Sequence, residues 1–145
     1  MNLYLDSSAL VKRYVAEAGS RHIRRAVVEA AYNSTSLISR AEVSAALAKA
    51  VRIGALSARA GKACQEAFLL DWPSMIRIEI NESIVSQAGS LAWQHGLRGY
   101  DAVQLASALA WKAALGGVVT IATFDKQLWA AARAEGVIPL PATLE

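Results

Sequence analysis

Cysteine and histidine, the residues that build disulfide frameworks and zinc centres, are scarce in this chain. Cys64 is the single cysteine, and the two histidines, His22 and His95, have no ligand partner at zinc-site spacing. A disulfide within the chain is therefore impossible, and a zinc centre is not expected. We interpret both histidines as surface residues or as satisfied side chains on helices.

The chain also lacks a long uninterrupted apolar run. Its most apolar region, residues 102–124, is interrupted by Gln104, by Lys112 and by a pair of glycines, so we do not expect it to span a membrane. The N-terminus has neither the basic part nor the long apolar part of a signal peptide. These absences predict a protein of the cytoplasm.

What the chain does contain is enough apolar material for a full-sized core. It has 145 residues, of which 54% are hydrophobic. No repeat, low-complexity tract or linker divides it, so the sequence predicts one domain over residues 1–145. The formal charge of +3 and the pI near 9.2 suit an anionic partner such as RNA, although many unrelated proteins share such values.

Short apolar runs alternate with helical patterns along the chain, which predicts an α/β domain with a mostly parallel sheet. The predicted strands lie at residues 3–5, 35–38, 76–80, 118–122 and 137–140. The predicted helices begin near residues 7, 20, 39, 57, 82, 101 and 126, and they end near residues 15, 31, 53, 72, 95, 115 and 134.

The third and fifth strands have the features of sheet edges. The third alternates isoleucines with charged residues, and the fifth contains Pro139, which has no N–H to donate. The strand order 3-2-1-4-5 puts both at the edges and the first strand at the centre. Helices then cover both faces, which gives a three-layer α/β/α architecture. In such sheets ligands bind at the carboxyl ends of the strands, where the winding reverses beside the first strand.

Four acids are expected to meet at that rim. Asp6 directly follows the first strand, Glu42 lies a few residues past the second, and Asp125 follows the fourth. Asp101 begins a helix of about 15 residues, or about 22 Å, that runs back along strand and exit residues of nearly the same length. The start of this helix therefore returns to the level at which Asp125 leaves its strand.

Each acid also has a purely structural interpretation. Glu42 follows Ser39 at capping-box spacing. Asp101 and Asp125 suit helix N-termini, and Asp6 can satisfy backbone N–H groups. Taken singly, these interpretations are the better ones. Taken together, the four positions favour a shared site, because the other eight of the 12 acids fall on exposed faces, helix ends or the tail.

Clustered carboxylates repel one another, by about 4 kcal/mol for two unit charges about 4 Å apart at an effective dielectric of about 20. Protonation or a cation relieves this repulsion, and ligation by oxygen alone favours a hard ion, Mg²⁺ or Mn²⁺. Such an ion suits the hydrolysis of a phosphodiester.

Hydroxyl and basic side chains accompany the acids. Ser8 and Thr123 can hold a metal water or a phosphate oxygen, and helix capping is an equally good explanation of both. Four basic residues near the same rim can receive a nucleic-acid backbone, although a solvated surface charge remains the simpler explanation of each. These residues are Lys12, Arg13, Arg98 and Lys126.

Four segments carry a family resemblance: LYLDSSALVKRYVAEAGS, TSLISRAEVSAAL, HGLRGYDAVQLASAL and TFDKQL. In their order and spacing, over nearly the whole chain, they resemble the PIN-domain nucleases, specifically the VapC-like toxins of bacterial type II toxin–antitoxin pairs. Ala18 stands where a proline is frequent in the family, which does not affect the chemistry.

The resemblance implies an acidic site with accompanying hydroxyls, formed by Asp6, Glu42, Asp101, Asp125, Ser8 and Thr123. It also implies a Mg²⁺- or Mn²⁺-dependent endoribonuclease, homodimerisation, and a cognate antitoxin that blocks the groove. The exposed faces of the helices over residues 8–31 and 58–70 are candidate partner surfaces.

The main hypothesis is metal-assisted cleavage of RNA. The three aspartates of the site hold the ion, and Glu42 ligates it or orients or deprotonates the attacking water. In-line attack then leaves a 5′-phosphate and a 3′-hydroxyl. One alternative is a non-catalytic PIN-like module that binds RNA or a protein. Another is a haloacid-dehalogenase-like phosphatase with Asp6 as nucleophile, but the sequence lacks the second acid two residues on and an evident catalytic lysine.

Overall fold

The computed structural model describes all residues, 1–145. The five strands are β1 (Asn2–Leu5), β2 (Tyr32–Ser36), β3 (Ile76–Ile78), β4 (Thr120–Ala122) and β5 (Ile138–Leu140). The seven α-helices are α1 (Ser7–Val11), α2 (Ser20–Glu29), α3 (Ser39–Arg52), α4 (Ala58–Asp71), α5 (Glu82–His95), α6 (Gly99–Leu115) and α7 (Lys126–Ala134). A 3-10 turn, Trp72–Ser74, connects α4 to β3.

The strands form one parallel sheet in the order β3-β2-β1-β4-β5, which confirms the predicted α/β fold and strand order. β1 is the central strand: Tyr4 is opposite Ser34 of β2 and Ile121 of β4. The sheet is parallel throughout rather than mostly parallel. Its two edges are the strands that the alternating pattern and Pro139 had marked.

Side chains of β1 point alternately into two apolar clusters, one on each face of the sheet. Leu3 and Leu5 join a cluster with α1 to α4, whereas Tyr4 joins a cluster with α5, α6 and α7. All three side chains are fully buried. A continuous apolar run such as this is expected of a strand covered by helices on both faces. The result is the predicted three-layer arrangement.

Some element boundaries differ from the prediction. α1 ends at Val11 rather than near residue 15, and β2 covers residues 32–36 rather than 35–38. The prediction for β2 was wrong because Tyr32-Asn33-Ser34 has the composition of a turn, yet it pairs with β1 from Asn2 onward. Pairing with a central strand overrides this weak local preference.

The helices are all too short or too polar to cross a lipid bilayer.

Candidate active site

Four carboxylates line one pocket at the carboxyl ends of the central strands. Asp6 follows β1, Asp125 follows β4, and Glu42 and Asp101 lie in the first turns of α3 and α6. The pocket has a volume of about 720 Å³. Its other lining residues are Ser7, Ser8, Val11, Ala45, Ala46, Lys49, Arg98 and Tyr100. The structure thus brings together all four acids that the sequence had singled out.

Asp101 reaches this pocket because α6 runs back against β4. α6 has 17 residues, and Gly116 ends it in the left-handed conformation with φ +66°. This conformation closes the helix without the steric penalty that a side chain brings. The chain turns at once towards β4, so Asp101 and Asp125 face the same pocket.

Asp6 is the most constrained of the four acids, with only 2% of its surface exposed. Its Oδ1 accepts hydrogen bonds from the Ser8 hydroxyl (2.7 Å) and the Ala9 N–H (2.8 Å), and its Oδ2 accepts one from the Thr123 hydroxyl (2.5 Å). Burial raises the pKa of Asp6 from 3.8 to about 6, although these hydrogen bonds lower it and the charge of Asp101 adds to the increase. Three donors therefore fix this carboxylate in place while burial disfavours its charge.

The two hydroxyls join the ends of β1 and β4. Ser8 Oγ accepts the N–H of Phe124 (3.0 Å), and Thr123 Oγ1 accepts the N–H of Asp125 (3.1 Å). Neither hydroxyl caps a helix. The aspartates do so instead: Asp6 accepts the Ala9 N–H of α1, and Asp125 accepts the Leu128 N–H of α7 at 2.8 Å. The structural roles and the shared pocket thus coexist in the same residues.

Arg98 connects the other two aspartates. Its Nε donates to Asp101 Oδ2 and its Nη2 donates to Asp125 Oδ2, both at 3.1 Å. The pKa of Asp101 is raised, chiefly by burial and then by the charge of Asp125, and Arg98 opposes the increase. Two carboxylates and one guanidinium therefore share the rim of the pocket.

Gln104 positions Glu42, a role that sequence analysis missed. Its Nε2 donates to Glu42 Oε1 (2.7 Å) and to Ser39 Oγ (3.0 Å), and its Oε1 accepts the Tyr4 hydroxyl (2.6 Å). The predicted capping box is not formed: the N-cap of α3 is Ile38, without a side-chain hydrogen bond, and Ser39 is buried in this network. The available signal was a long polar side chain within the apolar part of helix α6, one turn after Asp101.

The predicted basic residues are divided between the pocket and other contacts. Of the four, only Arg98 lines the pocket. Lys12 pairs with Glu17 (3.0 Å), Arg13 pairs with Asp71 (3.3 Å), and Lys126 is exposed at the start of α7. Lys49 lines the pocket and was not predicted. It lies seven residues after Glu42, or two helical turns along the same face, and that spacing was the signal that could have identified it.

The ligands of the pocket fit a hard divalent cation, because its lining offers carboxylate oxygens and contains neither histidine nor cysteine. In the present side-chain arrangement no three acidic, histidine or cysteine side chains are close enough to hold one ion together. Glu42 is hydrogen-bonded to Gln104, and Arg98 is hydrogen-bonded to both Asp101 and Asp125. The residues that could ligate are Asp6, Glu42, Asp101 and Asp125.

The fold and the pocket together define a class of protein: a parallel α/β domain with an acidic, oxygen-only site at the carboxyl ends of its central strands. The PIN domain family model matches residues 3–134. The chain belongs to the PIN domain family.

Individual relatives agree with this assignment. The chain is 34% identical over 148 residues to Ribonuclease VapC45 and Ribonuclease VapC49, both from Mycobacterium tuberculosis. Each alignment covers 99% of this chain and 97% of the relative. A toxin–antitoxin complex from Klebsiella pneumoniae shares the fold with a TM-score of 0.68 at 15% identity, covering 100% of both chains.

Proposed function

We propose that this protein is a metal-dependent endoribonuclease and the toxin of a toxin–antitoxin pair. The observation that carries the proposal is the convergence of four carboxylates from β1, α3, α6 and the end of β4 on one pocket. Membership of the PIN domain family and the similarity to two proteins named ribonucleases support it. RNA is accordingly the proposed substrate.

Asp6, Asp101 and Asp125 are the proposed ligands of Mg²⁺ or Mn²⁺, with Glu42 as a fourth ligand or as a group that acts on water. When bound, such an ion offsets phosphate charge and makes water a better nucleophile. Asp6 suits the role of a fixed ligand because three hydrogen bonds hold its carboxylate before any ion arrives. Less rearrangement is then needed when the ion binds.

Glu42 is proposed to orient or deprotonate the attacking water. Gln104 holds one of its oxygens at 2.7 Å, which fixes the direction of the carboxylate in the pocket. The attack in line with the leaving group produces a 5′-phosphate and a 3′-hydroxyl. Lys49 and Arg98 supply positive charge on the pocket wall, where the phosphates of the backbone have to pass.

The remaining proposals concern partners and location. A cognate antitoxin that covers the acidic pocket is proposed, since the fold is shared with the chain of a toxin–antitoxin complex. A homodimer and a cytoplasmic location complete the proposal.

Cleavage of RNA by the purified protein in Mg²⁺ or Mn²⁺, compared with EDTA, tests the proposal. Glu42→Gln and Glu66→Gln form a matched pair, because both replace a helical glutamate and only Glu42 lines the pocket. We expect loss of cleavage in EDTA, in Glu42→Gln and in Asp6→Asn, with Glu66→Gln as active as the wild type. Equal cleavage in every sample would identify a contaminating nuclease. RNA binding that is insensitive to EDTA, without cleavage, would favour the non-catalytic module.

A further inference from the structure

Arg98 is the one basic side chain that forms ion pairs with acids of the pocket. It donates to Asp101 and Asp125 at 3.1 Å each, whereas Lys49, the other basic residue of the lining, forms no ion pair. The Arg98 side chain is 77% exposed, against 19% and 22% for its two partners. An exposed guanidinium thus offsets one of the two negative charges of a partly buried carboxylate pair.

The helix terminus does not by itself favour an arginine at this position. Arg98 is the N-cap residue of α6, and it forms no capping hydrogen bond. The N-terminus of a helix carries a partial positive charge, which disfavours a cationic side chain. The two carboxylates are the only hydrogen-bonding partners of its side chain. The side chain therefore serves the acids rather than the helix.

We propose that Arg98 is an internal counter-ion that competes with the divalent cation for Asp101 and Asp125, and that the guanidinium, once displaced, contacts a phosphate of the RNA backbone. The inference rests on the proposed function. A divalent ion on the same carboxylate oxygens repels the guanidinium, so the two cations exclude each other. Guanidinium groups bind phosphate well through paired N–H donors, which gives the displaced side chain a second use.

The expected energetic effect is modest because exposed ion pairs are individually weak. Removal of Arg98 should therefore tighten metal binding by about three- to thirty-fold rather than by many orders of magnitude. The same removal should weaken the handling of RNA. Opposite effects on metal and on substrate distinguish this role from a purely structural one, which would alter both in the same direction through misfolding.

The first experiment is the titration of the metal-free protein with Mn²⁺ alone, measured by isothermal titration calorimetry. The variants are Arg98→Gln, Arg98→Lys and the control Arg25→Gln. Arg25 is a matched control because it is also 77% exposed and pairs with a carboxylate, that of Glu29 at 2.8 Å, away from the pocket. We expect tighter Mn²⁺ binding in Arg98→Gln, an intermediate affinity in Arg98→Lys, and no change in Arg25→Gln.

An unchanged or weaker Mn²⁺ affinity in Arg98→Gln, with the wild type binding normally, would overturn the competition. A wild type and an Arg98→Gln variant that both fail to bind Mn²⁺ would overturn it together with the proposed metal site. Binding to Arg98→Gln alone would support it. Because this readout needs no RNA, failure of the inference is separable from failure of the proposed ribonuclease activity.

The second experiment measures cleavage at saturating Mn²⁺, with an RNA that the wild type cuts. A phosphate contact predicts that Arg98→Gln raises KM more than it lowers kcat, and that Arg98→Lys recovers part of the loss. Removal of a mere competitor has no effect once Mn²⁺ saturates the site. Unchanged or faster cleavage by Arg98→Gln under these conditions would therefore overturn the proposed contact with phosphate.

Discussion

Individual side chains in the pocket combine structural and chemical demands. Asp6 caps α1, accepts a hydroxyl hydrogen bond on each of its two oxygens, and lies almost entirely out of contact with solvent. Burial disfavours its charged form, and a fixed carboxylate is what a metal ligand requires. The cost in stability and the benefit in function therefore belong to the same group.

Asp6→Asn should make the stability of the metal-free protein less dependent on pH. The pKa of Asp6 is about 6 in the folded chain against an ordinary 3.8, so the folded state holds the proton more tightly. The protonated carboxyl stabilises the fold fully below the pKa of the unfolded state, and this stabilisation is lost as pH rises through the pKa of the folded state. The total loss in the free energy of unfolding is about 3 kcal/mol. In urea unfolding with EDTA between pH 4 and 8, the free energy of unfolding of Asp6→Asn should rise relative to that of the wild type up to about pH 6.

Glu66 is exposed, so Glu66→Gln controls for the loss of one negative charge in the same urea unfolding measurements. Parallel stability curves for wild type and Asp6→Asn would contradict the prediction, because they would show that burial does not disfavour the Asp6 charge.

Gln104→Leu should lower the free energy of unfolding by about 1–3 kcal/mol, since it leaves the buried Tyr4 hydroxyl without its acceptor. The double variant Tyr4→Phe with Gln104→Leu should recover part of this loss, because both polar partners are then absent. Chemical denaturation measures both. If the two substitutions are simply additive, the Tyr4–Gln104 hydrogen bond does not contribute as the structure indicates.

At the scale of elements, α6 and β4 determine where two of the four acids lie. The helix ends at Gly116, and Gly117 follows it into the turn before β4. A Cβ at either glycine meets nothing within 4 Å, and only Gly116 has a positive φ. Both glycines therefore have room for a side chain, and they differ only in backbone conformation.

Gly116→Ala should lower the free energy of unfolding by about 1 kcal/mol, because a left-handed conformation is strained for any residue with a side chain. Gly117→Ala is its matched control and should be neutral or slightly stabilising, through the smaller entropy of the unfolded chain. Thermal and urea unfolding report both. Equal effects of the two substitutions would contradict the assigned conformations.

The whole molecule gathers negative charge at one rim although its formal net charge is +3. Burial raises the pKa of Asp6 and of Asp101, which shows that the folded chain holds part of this charge at a cost. A ligand that binds the folded state but not the unfolded one offsets such a cost by mass action.

Mn²⁺ should therefore raise the melting temperature of the wild type, and the free energy of unfolding should increase by about 2.7 kcal/mol at a hundred times the dissociation constant. Asp101→Asn and Asp125→Asn should lose most of this increase, whereas Glu66→Gln should keep it. Scanning calorimetry with and without EDTA provides the measurement. The same metal-dependent increase in all variants would place the ion elsewhere on the protein.

The sequence by itself determined the strand order and the rim to which the acids belong. Short apolar runs, the alternation around Arg77 and the proline at position 139 fix which strands are central and which are edges, because burial on one or both faces dictates side-chain pattern. Once the order is set, residues that follow parallel strands must share an edge. Asp6 and Asp125 could therefore be placed from local patterns alone.

Only the tertiary structure decided which side chains touch within that rim. The Gln104–Glu42 hydrogen bond joins residues 62 positions apart, and the Arg98–Asp125 ion pair joins residues 27 positions apart. No local periodicity encodes such contacts, because they depend on how α3, α6 and β4 pack against one another. The same packing extended β2 into a turn-like segment and left Ser39 in a buried network instead of a helix cap. Local pattern selects the edge of the sheet at which chemistry can occur, and the packing of helices on the sheet selects the partner of each charge.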